Sequence, residues 1–197
     1  MAFALIPHPE VGPGAADAVS VAVQRPDPGT VTLAWSLTGD LGRVALPHLG
    51  SLHRGHGLWK HTCFEMFVQA ADGGYYEFNL SPSRAWAAYR FSGYRVGMAD
   101  VEGAPVASLG SRAEAGMLEL VATLDLSALA GLNLQKTLRA GFSAIIEGDD
   151  GERYPFHCTR IADGTRTIAE GSRVEFAVMA GPAGRWEADA IAPVPAD

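Results

Sequence analysis

The residues able to do chemistry in this 197-residue chain are concentrated in one stretch. Between residues 58 and 95 fall two of its four tryptophans, four of its five tyrosines and three arginines. Leu58-Trp59-Lys60-His61-Thr62-Cys63-Phe64-Glu65-Met66-Phe67 is followed by Tyr75-Tyr76-Glu77-Phe78-Asn79-Leu80-Ser81-Pro82, then by Trp86-Ala87-Ala88-Tyr89-Arg90-Phe91 and Tyr94-Arg95. These runs have the period-two alternation of half-buried strands. On that period Cys63, Glu65 and Phe67 share one face, and Tyr75, Glu77 and Asn79 share a face of the next strand. Trp86, Ala88 and Arg90 share a face of a third. Simple hairpin register brings two carboxylates and an amide together. Ionised groups so placed need a partner or water.

Two outcomes fit those residue types. In the first, a buried Glu–Arg pair ties neighbouring strands together, and Trp59 and Trp86 anchor the core. In the second, the face is a ligand cleft. Flat rings stack on the apolar faces of a sugar, while carboxylates, amides and guanidinium groups bond its hydroxyls. Trp59 and Trp86 then supply the rings. Glu65, Glu77, Asn79 and an arginine supply the polar contacts, with Arg90 preferred and Arg95 and Arg84 as further candidates. Arginine suits either outcome, because its planar fork pairs with carboxylates and stacks on rings.

The elements that must position these groups are strands. Val19, Val21 and Val23 alternate with small or polar residues, as do Val31, Leu33, Trp35 and Leu37. Further apolar rows are Leu118, Leu120, Ala122 and Leu124, then Phe142, Ala144 and Ile146, then Val174, Phe176 and Val178. Ala71-Asp72-Gly73-Gly74, Gly148-Asp149-Asp150-Gly151 and Arg25-Pro26-Asp27-Pro28-Gly29 read as turns between them. Residues 125–134 form the one helical candidate, a short one. Residues 46–59 and 95–116 read as irregular. Eight to ten strands with closely spaced turns predict an all-β protein, an antiparallel β-sandwich with at most one short helix. The expected organisation is one ligand-binding domain over residues 1–180, with an extended or partly disordered tail over 181–197.

Composition narrows the function classes. Asp plus Glu is 22 against 15 Lys plus Arg, a net charge of −7, and only Lys60 and Lys136 are lysines. An acidic chain without a basic patch argues against nucleic-acid binding. No window approaches the roughly 18 apolar residues of a membrane span. The opening apolar stretch stops at Pro7 and lacks a basic flank, so a cytoplasmic location is expected. Cys63 and Cys158 are then expected to be reduced thiols in strands.

The stretch from Leu58-Trp59 through Thr62-Cys63-Phe64-Glu65-Met66-Phe67, Tyr76-Glu77-Phe78-Asn79-Leu80-Ser81-Pro82, Trp86-Ala87-Ala88-Tyr89-Arg90-Phe91, Tyr94-Arg95 and Gly97-Met98 resembles the bacterial DOMON-like family, which looks related to family 9 carbohydrate-binding modules. Residues 141–147 and the opening Leu5-Ile6-Pro7-His8-Pro9 add to the likeness. The resemblance implies a β-sandwich that binds a small ligand, a saccharide or haem, without catalysis. It implies that Trp59 stacks and that Glu65, six positions later, makes the acidic contact. The aromatic-rich late motif expected of the family is replaced by Tyr154-Pro155-Phe156-His157-Cys158. Tyr154, Phe156 and Trp186 are therefore the candidates for a second wall.

Sharper alternatives can be stated by residue. Haem needs an axial pair, to be drawn from Met66 or Met98 with His61 or His157. Met66, between Phe64 and Val68, reads as core. His48, His53, His56 and His61 match no zinc spacing. Calcium, implied by the same likeness, would fall to the loop acids Asp72, Asp149 and Asp150. Glu65 and Glu77 are a formal carboxylate pair for weak glycoside hydrolysis. A protein-interaction module, presenting a sheet edge or aromatic patch, is the remaining class.

Overall fold

The structure is a computed structural model that describes residues 1–8, 11–158, 174–180 and 186–193, with side chains through residue 157. Its regular elements are strands: β1 (Ala2–Pro7), β2 (Ala16–Asp27), β3 (Thr30–Gly39), β4 (His53–Arg54), β5 (Cys63–Gln69), β6 (Tyr75–Leu80), β7 (Ala85–Phe91), β8 (Ala99–Asp100), β9 (Val106–Glu114), β10 (Met117–Asp125), β11 (Ala140–Glu147), β12 (Arg153–Cys158), β13 (Val174–Ala180) and β14 (Trp186–Pro193). Two single turns of 3-10 helix, Leu41–Arg43 and Leu58–Lys60, interrupt them.

Twelve strands form one sheet in the order β4-β7-β6-β5-β11-β12-β1-β2-β3-β10-β9, with β8 alongside β7. Every pairing is antiparallel except β4 with β7. The sheet curls so that its two halves face each other, which makes the all-β sandwich that the alternation predicts. Trp35 of β3 lies 5.2 Å from Phe64 of β5 and 6.0 Å from Phe142 of β11, and Phe3 of β1 stacks on Phe142 at 5.4 Å. The apolar rows read from the sequence line this interior, among them Val19, Val21, Leu33, Leu37, Leu118, Leu120, Phe64, Met66, Phe78 and Ile146. At the far end, Arg84 Nε donates to Leu109 O at 2.9 Å and Ser111 Oγ donates to Pro82 O at 2.5 Å, joining β9 to the β6–β7 turn.

Three expectations need correction. Residues 125–134 are turns, not a helix: Asp125 Oδ1 accepts from the Ser127 N–H at 2.9 Å, closing a local turn, while Leu126 and Leu129 are buried. Residues 95–116 contain β9, a nine-residue strand. It sits at the sheet's edge, and its inward row, with Ser111 and Ala113 and a register shift beside Val106, is too weakly apolar to show the alternation. Within 46–59, Gly55 N–H donates to Trp86 O at 2.7 Å, and the two-residue β4 runs parallel to β7. Both predicted hairpin loops are present. Ala70 N–H donates to Gly74 O at 2.8 Å, and Gly151 N–H to Gly148 O at 3.0 Å.

Strands β13 and β14 pair with each other in a separate two-stranded sheet. β14 falls within the segment 181–197 read as a tail, of which residues 181–185 and 194–197 lie outside the described residues. Cys63 is buried in β5 as a free thiol, and the Cys158 side chain lies outside the described residues.

Candidate functional site

The site is on the outer face of β5, β6, β7, β11 and β12. Register builds it. Glu65 pairs with Asn79 on one side and with Ser143 on the other, and Ser143 pairs with His157. A polar row Asn79–Glu65–Ser143–His157 therefore crosses four strands. The next row places Phe67 opposite Glu77, and Glu77 opposite Tyr89. Directly opposed residues share a face of the sheet, so the two carboxylates and the amide lie together on the face opposite the core.

Hydrogen bonds fix these groups. Ser143 Oγ donates to Glu65 Oε2, and Asn79 Nδ2 donates to Glu77 Oε1 at 2.8 Å. The Cys63 thiol donates to Asn79 Oδ1 at 3.6 Å. Glu65 is only 7% exposed and Asn79 is fully buried. Burial, then the neighbouring Glu77, push the Glu65 carboxyl up to about 7, against the Ser143 hydrogen bond and Arg95. Burial also raises Glu77, against Asn79 and Arg95. Among the described residues no Lys or Arg forms an ion pair within 4.0 Å with either carboxylate, so the Glu–Arg tie between strands does not form.

Aromatic rings frame the polar groups. The turn Leu58–Lys60 packs across β5, β6 and β7. Gly57 starts it in the left-handed region, at φ 67°, which a residue without Cβ adopts freely. Leu58 points into a small apolar cluster with Ala87, Tyr89, Phe91 and Tyr75. Trp59 stays 36% exposed, edge-on to Tyr89 at 5.8 Å. Tyr75 stacks flat on Phe91 at 4.7 Å and lies 6.2 Å from Phe67.

Arg95 is held above this face by the turn after β7. Its φ of 52° is uncommon for a residue with a side chain, and its N–H donates to the Tyr75 hydroxyl at 3.4 Å. Its positive charge favours the ionised form of both Glu65 and Glu77.

Trp86 and Arg90 lie on the other face. Leu80 points into the core and pairs with Trp86, so Trp86 follows it inward; it is 5% exposed, with the Arg54 guanidinium 4.4 Å over its ring. Arg90 sits over the Tyr76 ring at 5.0 Å and donates to Asp72 Oδ1 and Oδ2 at 2.6 and 2.7 Å. It also donates to the Phe91 carbonyl. Trp86 therefore offers no stacking surface beside Glu65, and Arg90 clamps the β5–β6 turn instead of facing the carboxylates. Arg84 donates to Leu109 O, away from both.

The late wall also differs from expectation. Phe156 is buried in the core, and the Tyr154 hydroxyl donates to Asp150 Oδ2 at 2.8 Å. Alternation turns Pro155 and His157 outward, which makes His157 the β12 residue beside Ser143. The sequence signal for it was present in the parity of Tyr154-Pro155-Phe156-His157, once Phe156 is known to face inward. The Trp186 side chain lies outside the described residues.

The other ligand readings do not match the placements. Met66 is core and on the opposite face from His157, Met98 is exposed, and His61 Nδ1 is 2.9 Å from Glu147 Oε2. No haem-ligating pair is assembled from these residues. Among the described residues no group of three or more His, Cys, Asp or Glu side chains is placed to hold a metal ion. Asp72 pairs with Arg90, Asp149 lies 3.8 Å from Arg43, and Asp150 accepts from Tyr154, so the three loop acids do not converge.

The chain shares its fold with a candidate carbohydrate-binding protein from Bacteroides uniformis ATCC 8492, at a TM-score of 0.53 and 13% identity over 86% of this chain and 80% of that one. A family 9 carbohydrate-binding module from Caldicellulosiruptor kristjanssonii, solved with cellotriose, aligns at a TM-score of 0.42 and 12% identity over 76% of this chain and 71% of the module. No protein-family model and no curated protein matches the chain.

Proposed function

We propose that this protein is a non-catalytic module that binds a saccharide or sugar-derived metabolite on the outer face of β5, β6 and β11. The observation that carries the reading is the joint placement of Glu65, Glu77 and Asn79 beside a half-exposed Trp59. Polar groups held this firmly on an outer face, next to an accessible ring, match what a pyranose needs. The ring covers its C–H face, and oriented acceptors accept hydrogen bonds from its hydroxyls. Arg95 is the guanidinium candidate on this side of the sheet. The fold shared with the B. uniformis protein, itself described as a candidate for carbohydrate binding, supports the same reading.

The test is calorimetric titration with a panel of mono- and oligosaccharides. A sugar that binds wild type is expected to bind Trp59→Ala and Glu65→Ala at least about tenfold more weakly, the loss of one stacking ring or one charge-assisted hydrogen bond. Trp86→Ala is expected to be destabilised by about 3–5 kcal/mol, as for loss of a buried large ring. Unchanged affinity in both site variants would refute the assignment. Release of reducing ends from an oligosaccharide would refute the non-catalytic half.

A further inference from the structure

The hydrogen-bonding capacity of the site is mostly used internally. Asn79 donates to Glu77 Oε1 and accepts from the Cys63 thiol, and Ser143 donates to Glu65 Oε2. The remaining carboxylate oxygens, Glu65 Oε1 and Glu77 Oε2, accept no hydrogen bond among the described residues. Ionised carboxylates accept only. Once both carboxyls are ionised, the open capacity at the centre of the site is thus two acceptor atoms of like charge, one on a carboxylate that is 7% exposed. A ligand must bring donors there.

The charge balance sharpens this. Glu77 disfavours ionisation of Glu65, and Arg95 acts on both from an exposed turn beyond ion-pair distance. The other titratable groups on this face are Cys63 from β5, Tyr75 from β6, Tyr89 from β7, Asp100 from β8, Glu147 from β11, and Arg153 and His157 from β12; Glu147 is taken up by His61, and Asp100 lies opposite Tyr89 at the exposed edge. Burial raises Cys63, Tyr75 and Tyr89, so these three stay neutral near pH 7. An anionic sugar meets two carboxylates. A neutral sugar supplies hydroxyl donors and no charge. An ammonium supplies three donors and the charge that the pair lacks. Trp59 and Tyr75 add π-faces, which attract cations.

We propose that the site selects sugars bearing a protonated amine, hexosamines with a free amino group, over their neutral and anionic counterparts. This rests on the saccharide-binding reading above. The test is calorimetry on the full chain with glucosamine, glucose, N-acetylglucosamine and glucuronate, and with galactosamine, galactose, N-acetylgalactosamine and galacturonate. In one series the amine is expected to bind about tenfold tighter than the neutral sugar, the gain of one charge-assisted hydrogen bond. N-acetylation is expected to abolish the advantage, and the uronate to bind weakest. Glu77→Gln, with its melting curve checked, is expected to bring the amine-to-neutral affinity ratio towards one. Between about pH 6 and about pH 7 the amine's affinity is expected to rise as Glu65 releases its proton. A neutral sugar that binds as tightly as its amine overturns the inference and leaves saccharide binding standing. A preference that survives Glu77→Gln overturns the assignment to this carboxylate pair. Binding of no member of either series overturns the saccharide reading and the inference with it.

Discussion

Glu65 is an acid kept in a place that disfavours its charge. In the folded chain it holds its proton to about 7, whereas its ordinary value is 4.5. Between those values the folded state binds more protons than the unfolded state. Its contribution to stability is therefore complete below about 4.5, falls as pH rises through the window, and is gone above about 7. A shift of that size corresponds to on the order of 3 kcal/mol. Glu77, raised in the same direction, adds to the trend. Urea unfolding at pH 5 and pH 8 is expected to show wild type losing stability across the interval and Glu65→Gln losing markedly less. Parallel losses would mean that another group governs the dependence.

At the scale of elements, the β5–β6 hairpin shows how two faces of one ribbon divide their work. Arg90 reaches across the inner side to Asp72 and to the Phe91 carbonyl, and Gly74 is the residue that admits it. A Cβ on Gly74 would lie 2.1 Å from Arg90 Nη1 and 2.3 Å from Phe91 O. Gly74→Ala is expected to lower stability by about 1–3 kcal/mol, the usual cost of overpacking. The carboxylates on the other side of the ribbon should register this only weakly. A thermal melt unchanged by the substitution would show that the turn relaxes without cost.

This hairpin was largely legible in the sequence. Alternation within residues 63–69 and 75–80 put Glu65, Glu77 and Asn79 on one face without any structure. The same alternation put Trp86 with Arg90, but not on a stated side. That side depends on the Ser81–Arg84 turn, where Ser81 N–H donates to Ala85 O and Arg84 takes a φ of 73°. Parity within a strand is local, whereas register between strands is set by turns and distant contacts. Arg95, Ser143 and His157 reach the site through such contacts, so the choice of Arg90 over Arg95, and the omission of His157, have one origin. β9 stayed hidden for a different reason: its inward row includes Ser111 and Ala113, and its register with β10 shifts beside Val106, so no apolar alternation runs through it.

Over the whole molecule, the two halves of the sheet meet across one shared core, in which Trp35 touches both Phe64 and Phe142. Those two are the inward neighbours of Glu65 and Ser143 along β5 and β11. Trp35→Ala is expected to cost about 3–5 kcal/mol. It should loosen the strands beneath the site as well as the core, so under the proposed function a variant that still folds is expected to bind sugar more weakly. Full affinity in a destabilised but folded variant would show that the outer face is held by its own hydrogen bonds.

The strand order has a consequence in time. β1 lies between β2, its neighbour in the chain, and β12, where Leu5 pairs with Cys158. A ribosome adds roughly 5–20 residues per second. The first strand therefore waits on the order of ten seconds, with one edge bare, before its second partner exists. Glu65 can meet Ser143 only near the end of that wait, because β11 and β12 are made last among the strands of the large sheet. The half-sheet of β5, β6 and β7 exists earlier, and its exposed edge is open to pairing with other chains. Keeping few chains in synthesis at once should favour soluble product, because the vulnerable species is an unfinished sheet that pairs with other unfinished chains rather than an unstable finished one.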